Sequence, residues 1–498
     1  MTSSLPRSAP EPQGVDPRAV LATLEAIAAI PELHSFLLVR HGRVVAEGWA
    51  HPFAPDRRQT VYSLSKTFTA TAVGFAAAEG LLGLDDAVVD LLPDKAPALP
   101  DERLARMTVR HLLTMSTGHD PEPTVIDTPG DWVATFLATP LAHEPGERFV
   151  YNTPATHVLS AIVQRVSGQR LLDYLTPRLL EPLGIEGAWW EVSPQGVDLG
   201  GTGLSITTED AAKLGLLYLQ DGMWEGRRVL PEGWVAQASA AQVSTAHWGG
   251  TDWQQGYGFQ MWRSQHGFRA DGAFGQFSLV LPDEDAVVAI TGGFRDTGAV
   301  LDAVWTHLLP GLHDEPVAAD DEGRAALQAR LGGLRLDPPA GAAVTGTARR
   351  ISGSTLVVDG TPLGTLAVTF VAGEEADDIV VHPGEEADDI VVHPGEGNAA
   401  AGAGLPVELR AGHDQPVAQR VPSPFERRHS PEALVSGTWT AADHYVLTAR
   451  WVETPHALTV DVDVAGDGVV VATHANVSFG PTELGPFTGR IASGAVRA

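Results

Sequence analysis

Two hydrophobic rhythms divide this chain. Up to about residue 312, apolar residues mostly fall at helical spacing, interrupted by short strand-like runs; beyond about residue 346 they recur at every second position. "DPRAVLATLEAIAAI" predicts a helix with Asp16 as N-cap and Pro17 at the first position. "HSFLLVRHGRVVAEGWA" predicts two strands around a His-Gly turn, and residues 63–80 a long apolar helix ending near Gly80. From about 84 to 250 the pattern is mostly helical with long loops. There "TTEDAAKLGLLYLQDG" carries a capping box from Thr207 to Asp210. Strand character returns in "YGFQMWRS", with Tyr257 and Phe259 as alternating core positions. It continues in "GQFSLVLPDEDAVVAITGGF" around a "PDED" turn, followed by a helix near 297–309. Strands at both ends of a helical middle imply one sheet built from both ends, with helices on its faces and a helical insertion.

A connecting helix is expected near 320–331. After it come "GSTLVVDG", "TLAVTFVAG", "HYVLTARWV", "ALTVDVDVAG" and "GVVVATHANVSFG", runs of period two that predict a β-rich module, barrel or sandwich. The organisation read from this is a disordered tail over 1–15, a principal domain over 16–312, a helix and linker over 313–345, and a β-rich domain over 346–498. "GEEADDIVVHP" occurs twice in tandem, at 373–383 and 384–394, and runs on into "GEGNAAAGAG". Two copies do not make a solenoid. The expectation is an acidic, solvated loop near 373–404, and a carboxylate-lined Ca²⁺ site is the sharper alternative.

Composition narrows the function classes. The formal charge of −29 over 498 residues argues against nucleic acid and against anionic membrane surfaces as partners. With no cysteine there is no disulfide, no thiolate metal site and no cysteine nucleophile. The start lacks the apolar core of a secretory signal, and no run approaches the roughly 20 apolar residues that span a bilayer. The expected location is cytoplasmic. The oligomeric state is not legible.

One residue breaks the apolar pattern of 63–80. The chain has three lysines, Lys66, Lys95 and Lys213, against thirty arginines, and Lys66 falls in "VYSLSKTFTATAVGFAAAEG". Burial depresses a lysine's pKa until the amine acts as a base, which arginine does not do. Ser63 stands three positions earlier, on the same helical face and at the helix start, where backbone N–H groups favour a developing oxyanion. A serine hydroxyl with a desolvated amine beside it is a candidate nucleophile and base. Two later stretches add to the pair. "PGERFVYNTPATHVLSAIVQRVSG" places Tyr151 just before a helix, and "DGAFGQFSLVLPDEDAVVAI" opens a strand with small residues that permit close approach.

In order and spacing these three segments, with "HLLTMSTGHD" and "GTGLSITTEDAAKLGLLYLQDG", resemble the serine β-lactamase and penicillin-binding-protein family. The likeness covers roughly residues 15–312 and is nearest to the branch of class C β-lactamases, β-lactamase-fold esterases and 6-aminohexanoate-dimer hydrolases. The resemblance implies an α+β fold, a β-lactamase/DD-peptidase-like antiparallel sheet flanked by helices with a helical insertion, here followed by the β-rich C-terminal domain. It implies Ser63 as acylated nucleophile, Lys66 as partner base or proton relay, and Tyr151 assisting proton transfer with the leaving group. The backbone N–H groups of Ser63 and Gln276 would form the oxyanion hole. Which group takes the serine proton stays open, and a phenol beside an ammonium is expected to have a lowered pKa.

Two elements depart from the family pattern. Thr153 stands where an Asn is common, and Ala273, Phe274 and Gly275 replace Lys-Thr-Gly. The missing cation would pair with a substrate carboxylate, a contact of about 2 kcal/mol, or about thirtyfold in binding. Arg269 and Arg295 are alternative cations, each more simply read as a surface arginine. Trp248 and Trp253, in a Gly-rich loop, are candidate walls of an acyl pocket, whereas His157 and His247 read as structural histidines. No Gly-x-Ser-x-Gly elbow, zinc spacing, phosphate loop or dinucleotide fingerprint occurs, so neither a metal nor a cofactor is expected. The expected activity is a serine hydrolase, foremost a carboxylesterase on small neutral esters. The rivals are an amide hydrolase of the same fold (D-amino peptidase, amide-oligomer hydrolase or weak β-lactamase) and a non-catalytic acyl-binding sensor.

Overall fold

The computed structural model describes residues 4–126, 128–361, 364–383, 407–413, 415–421, 423, 425 and 432–492. The chain divides into two compact units, Met1–Leu334 and Arg335–Ala498. The first opens on residues that are no disordered tail: Leu5 is buried, and Arg7 pairs with Glu47 at 2.8 Å and Glu209 at 2.7 Å. Helix α1 (Pro17–Ala28) follows, where the Asp16 side chain accepts from the Arg18 N–H with Pro17 at the first position. Strands β1 (Leu33–Arg40) and β2 (Arg43–Trp49) form the first hairpin. Their sheet is completed by β3 (Trp262–Arg263), β4 (Phe268–Gly272), β5 (Gln276–Leu281) and β6 (Ala286–Gly292) in the order β2-β1-β6-β5-β4-β3. Every pairing is antiparallel, with Leu37 opposite Ala289 and Leu279 opposite Val288. The two ends of the segment thus meet in one sheet, at β1 and β6. The run around Tyr257 and Phe259 is not a strand. Both residues are buried, but Tyr257 makes only isolated bridges, to Val243 and Trp262.

The residues between the two groups of strands are largely helical. Helix α2 (Ser65–Ala78) is buried on almost every side, as an apolar helix without a polar face must be. Full burial of Phe68 and Val73 contributes roughly 1.5–3 kcal/mol each. Its threonine hydroxyls find carbonyl acceptors, Thr67 at Gln260 (2.9 Å) and Thr69 at Gly200 (2.8 Å). Helix α3 (Thr153–Ser167) packs on α2. Helix α4 (Thr208–Leu219) starts at the Thr207–Asp210 capping box and lies on the sheet, where Ser278 Oγ donates to the Ala211 carbonyl at 2.8 Å. Helix α5 (Asp321–Gly332) belongs to this unit and is no free linker: Arg18 pairs with Asp320 and Arg324 with the buried Glu11. No helix of the described residues is long and apolar enough to cross a membrane.

The second unit is a β-barrel. Its strands are β7 (Ser354–Thr361), β8 (Gly364–Val371), β9 (Ala376–Pro383), β10 (Val407–Gly412), β11 (Val417–Arg420), β12 (Glu432–Trp439), β13 (His444–Trp451), β14 (Ala457–Ala465), β15 (Gly468–Ala475) and β16 (Glu483–Ala492). They run in the order β10-β9-β8-β7-β16-β15-β14-β13-β12-β11, closed by a bridge between Gly412 and Ser436. The first copy of the acidic repeat is therefore not a solvated loop, because most of it is β9, between β8 and β10. Period two decides this. Asp377, Ile379 and Val381 fall on one face, Ile379 and Val381 pack in the barrel core, and Asp377 is 0% exposed with His413 Nε2 at 3.5 Å. The second copy and "GEGNAAAGAG" lie outside the described residues.

Candidate active site

Ser63 lies in a short turn, Tyr62–Leu64, that leads into α2, so the α-helix begins two residues later than its apolar pattern implies. The cause is Tyr62, which has φ 46°; Phe274, in the β4–β5 turn, has φ 63°. The two rings meet edge to face at 5.5 Å. Left-handed non-glycine residues cost of order 1–3 kcal/mol each and persist where packing holds them. Gly272 lets β4 approach the serine turn, since a Cβ there would come 2.2 Å from the Val61 carbonyl oxygen. This contact brings Ala273, Phe274, Gly275 and the start of β5 at Gln276 to the Ser63 turn. Gln276 is buried, and its side chain is anchored by donating to the Gly292 carbonyl at 2.6 Å.

Lys66 is 1% exposed. Its Nζ lies 2.9 Å from Ser63 Oγ, 3.2 Å from Thr153 Oγ1 and 2.7 Å from the Gly201 carbonyl oxygen. The Tyr151 ring centre is 4.9 Å away. Among the described residues no carboxylate is within ion-pair distance of the amine. Burial lowers its pKa from the ordinary 10.5 to about 7, against the weaker opposing charges of Glu122 and Asp271. Gly201 is a glycine for a packing reason: a Cβ would meet the Thr153 carbonyl oxygen at 2.8 Å. A side chain there would displace the lysine's carbonyl partner.

Tyr151 lies beside Ser63. Its pKa is raised above 10 by burial, which outweighs a slight lowering by the Ser63 hydroxyl; this is opposite to the lowering expected from a neighbouring ammonium. An aromatic cluster accounts for the difference: Trp262 stacks on Tyr151 at 5.9 Å, Trp248 lies tilted at 5.9 Å, and Tyr257 and Phe149 close in at 6.3 and 6.5 Å. These rings exclude the water a phenolate needs, while the amine beside it is itself losing charge. Trp248 is thus at the site. Asn152 caps α3 through its accepted bond from the Ala155 N–H, which leaves Thr153 to reach the lysine. His157 and His247 sit against the carbonyls of Leu199 (3.3 Å) and Phe149 (3.1 Å).

Arg269 is not a surface arginine. It is 0% exposed, with Asp271 at 2.9 Å, Asp252 at 3.6 Å and the Trp253 ring centre at 4.7 Å. Strand alternation puts Arg269 and Asp271 on one face of β4, and two carboxylates meet one guanidinium there. Arg295 is exposed. The position of the missing lysine is therefore not refilled by Arg269, whose charge is already matched. Gly201, Glu122, Asp271 and the strained Tyr62 were not found from sequence. Only Gly201 left a signal, three glycines in the four residues "GGTG". No group of three or more potential metal ligands occurs among the described residues.

An antiparallel sheet faced by helices, with a serine, a desolvated lysine and a tyrosine converging at the start of a buried helix, defines the architecture of serine acyl-transfer proteins. The comparisons agree on the class. A family model described as Beta-lactamase matches residues 26–299, more than half of the chain, and the chain belongs to that family. It is 28% identical over 255 residues to the 6-aminohexanoate-dimer hydrolase of Paenarthrobacter ureafaciens, covering 45% of this chain and 64% of that protein, less than two thirds of its length. It is 30% identical over 175 residues to esterase EstB of Burkholderia gladioli, covering 30% of this chain and 44% of the esterase. Among solved structures, a Bacillus anthracis protein provisionally named 6-aminohexanoate-dimer hydrolase superposes with a TM-score of 0.50 at 19% identity, covering 61% of this chain and 85% of that one. That last likeness speaks to the fold alone.

Proposed function

We propose that the protein is a serine hydrolase that works through an acyl-enzyme on Ser63, foremost a carboxylesterase on small esters without a carboxylate beside the scissile carbonyl. The observation that carries this reading is the buried Lys66 amine 2.9 Å from Ser63 Oγ. With a pKa of about 7, a large share of the amine is uncharged at neutral pH. A neutral amine has two N–H donors and one lone pair. The Gly201 carbonyl only accepts and so takes one donor; Thr153 Oγ1 takes the other. The lone pair is left for the Ser63 hydroxyl proton.

In acylation Ser63 Oγ attacks the ester carbonyl as its proton passes to Lys66 Nζ. The oxyanion is held by the N–H groups of Ser63 and Gln276. Collapse breaks the ester bond, and the alcohol leaves with the proton relayed through Tyr151. Water then gives its proton to the same relay and attacks the Ser63 ester; the Oγ–acyl bond breaks, the relay returns that proton to Ser63 Oγ, and the acid is released. Tyr151, with its raised pKa, stays a phenol and passes protons without storing charge. The absence of a cation at Ala273–Gly275, with Arg269 already paired, disfavours β-lactams and peptides that end in a carboxylate.

An amide hydrolase is the second reading, favoured by the likeness to the 6-aminohexanoate-dimer hydrolase. A fluorophosphonate probe with intact mass and peptide mapping tests the nucleophile: one adduct on Ser63 is expected, and no adduct on folded protein favours the sensor reading. Parallel turnover of p-nitrophenyl acetate, nitrocefin and a D-alanyl amide separates ester from amide chemistry. Nitrocefin turnover with little esterase activity refutes the preference stated here.

A further inference from the structure

Thr153 ties two charged groups to one residue. Its hydroxyl lies 3.2 Å from Lys66 Nζ, and its backbone N–H donates to Glu122 Oε2 at 2.9 Å. Glu122 is exposed. Its Oε1 accepts no hydrogen bond among the described residues, and no arginine, lysine or histidine among them is within ion-pair distance. Nearby carboxylates differ in this respect: Asp120 meets Arg148 at 3.1 Å and His143 at 3.3 Å, Asp131 meets Lys95 at 2.5 Å, and Asp271 meets Arg269 at 2.9 Å. Beside the reacting serine, then, one solvent-facing carboxylate has no cation partner among the described residues, and the buried Arg269 is already paired with Asp271 and Asp252.

We propose that Glu122 is a specificity-determining residue, selecting substrates that carry an ammonium group near the scissile ester over uncharged or carboxylate-bearing ones. This rests on the serine-hydrolase reading and deepens it, naming the favoured class as cationic esters. The carboxylate is solvent-exposed, so its attraction for the ammonium is screened, and discrimination is modest and weakens with salt. Capping the N-terminus of α3 through the Thr153 N–H is the structural role Glu122 would have in any case. That role does not depend on substrate charge.

Two matched ester pairs test the proposal, because in each the quaternary nitrogen is replaced by carbon with little change of shape. Acetylcholine against 3,3-dimethylbutyl acetate places the charge on the alcohol. p-Nitrophenyl 4-(trimethylammonio)butanoate against p-nitrophenyl 5,5-dimethylhexanoate places it on the acyl chain. The full-length protein is expected to favour the cation about fivefold in kcat/KM in at least one pair at low salt, and the ratio should approach one in Glu122→Gln and in 0.5 M NaCl. Thermal melting of Glu122→Gln reports any loss of the cap separately. A cation ratio near one in both pairs, or one unchanged by Glu122→Gln, overturns the proposal while leaving the esterase intact. Turnover of none of the four esters removes the esterase reading, and this inference with it.

Discussion

The two buried lysines of this chain sit in contrasting surroundings. Lys213, on α4, is 4% exposed, with the Asp210 carboxylate at 3.4 Å and the Gly184 carbonyl oxygen at 2.9 Å. Lys66, on α2, is as deeply buried but has only uncharged oxygens around it, from Ser63, Thr153 and Gly201. Lys213 is ion-paired, which makes it structural; the neutral partners of Lys66 leave its desolvation uncompensated and make it a base. Burial alone does not mark a catalytic lysine. The missing counter-charge does.

Removing the nucleophile gives the largest effect expected on this contrast. Ser63→Ala should lower ester turnover by at least about 10⁴-fold and abolish probe labelling, read by intact mass. Lys66→Met comes next, with a loss of about 10³-fold in acylation and an accompanying gain in stability. The unfolded chain holds this proton up to pH 10.5 and the folded chain only up to about 7, so wild-type stability rises with pH between those values. The variant should therefore be about 2 kcal/mol more stable at pH 7, with the gain fading toward pH 10.5 in urea titrations. A Lys66→Met variant that is less stable at every pH would contradict the picture of an uncompensated amine.

Tyr151→Phe should slow acylation and deacylation each by about 10²-fold and leave the melting temperature nearly unchanged, measured by stopped-flow burst kinetics. In wild type, kcat/KM should fall about tenfold per pH unit below about 7 as Lys66 gains its proton. A limb displaced to pH 10 would mean that the amine is charged in the resting enzyme. Lys213→Met sharpens the contrast from the other side. It should change turnover per folded molecule by less than about threefold, yet destabilise by about 3 kcal/mol, because Asp210 is left buried and unpaired.

Local signals carried much of the architecture. Asp16 before Pro17, Thr207 before Asp210, and the strand-like apolar runs "GQFSLVL" and "AVVAITG" around their "PDED" turn each act within a few residues, and each element forms where those residues place it. The lysine in an apolar helix and the serine three positions before it were equally plain. The first acidic repeat was misjudged because its charges outweighed its period. One inward aspartate, Asp377, is accommodated by His413, just beyond the end of β10, and no local pattern announces that partner. Arg269 was misjudged for the same reason: its two carboxylates and its indole come together only when β4 joins the sheet.

The sequence by itself determined the helices, the strands that close one sheet from both ends of the first unit, and the spacing of Ser63 to Lys66. Only tertiary structure decided what surrounds the amine. It brought the Gly201 carbonyl and the Thr153 hydroxyl to Lys66, enclosed Tyr151 in aromatic rings, and among the described residues left no carboxylate within ion-pair distance of the amine. Element formation is governed by neighbours along the chain, whereas a pKa is set by desolvation and by charges brought near from distant segments.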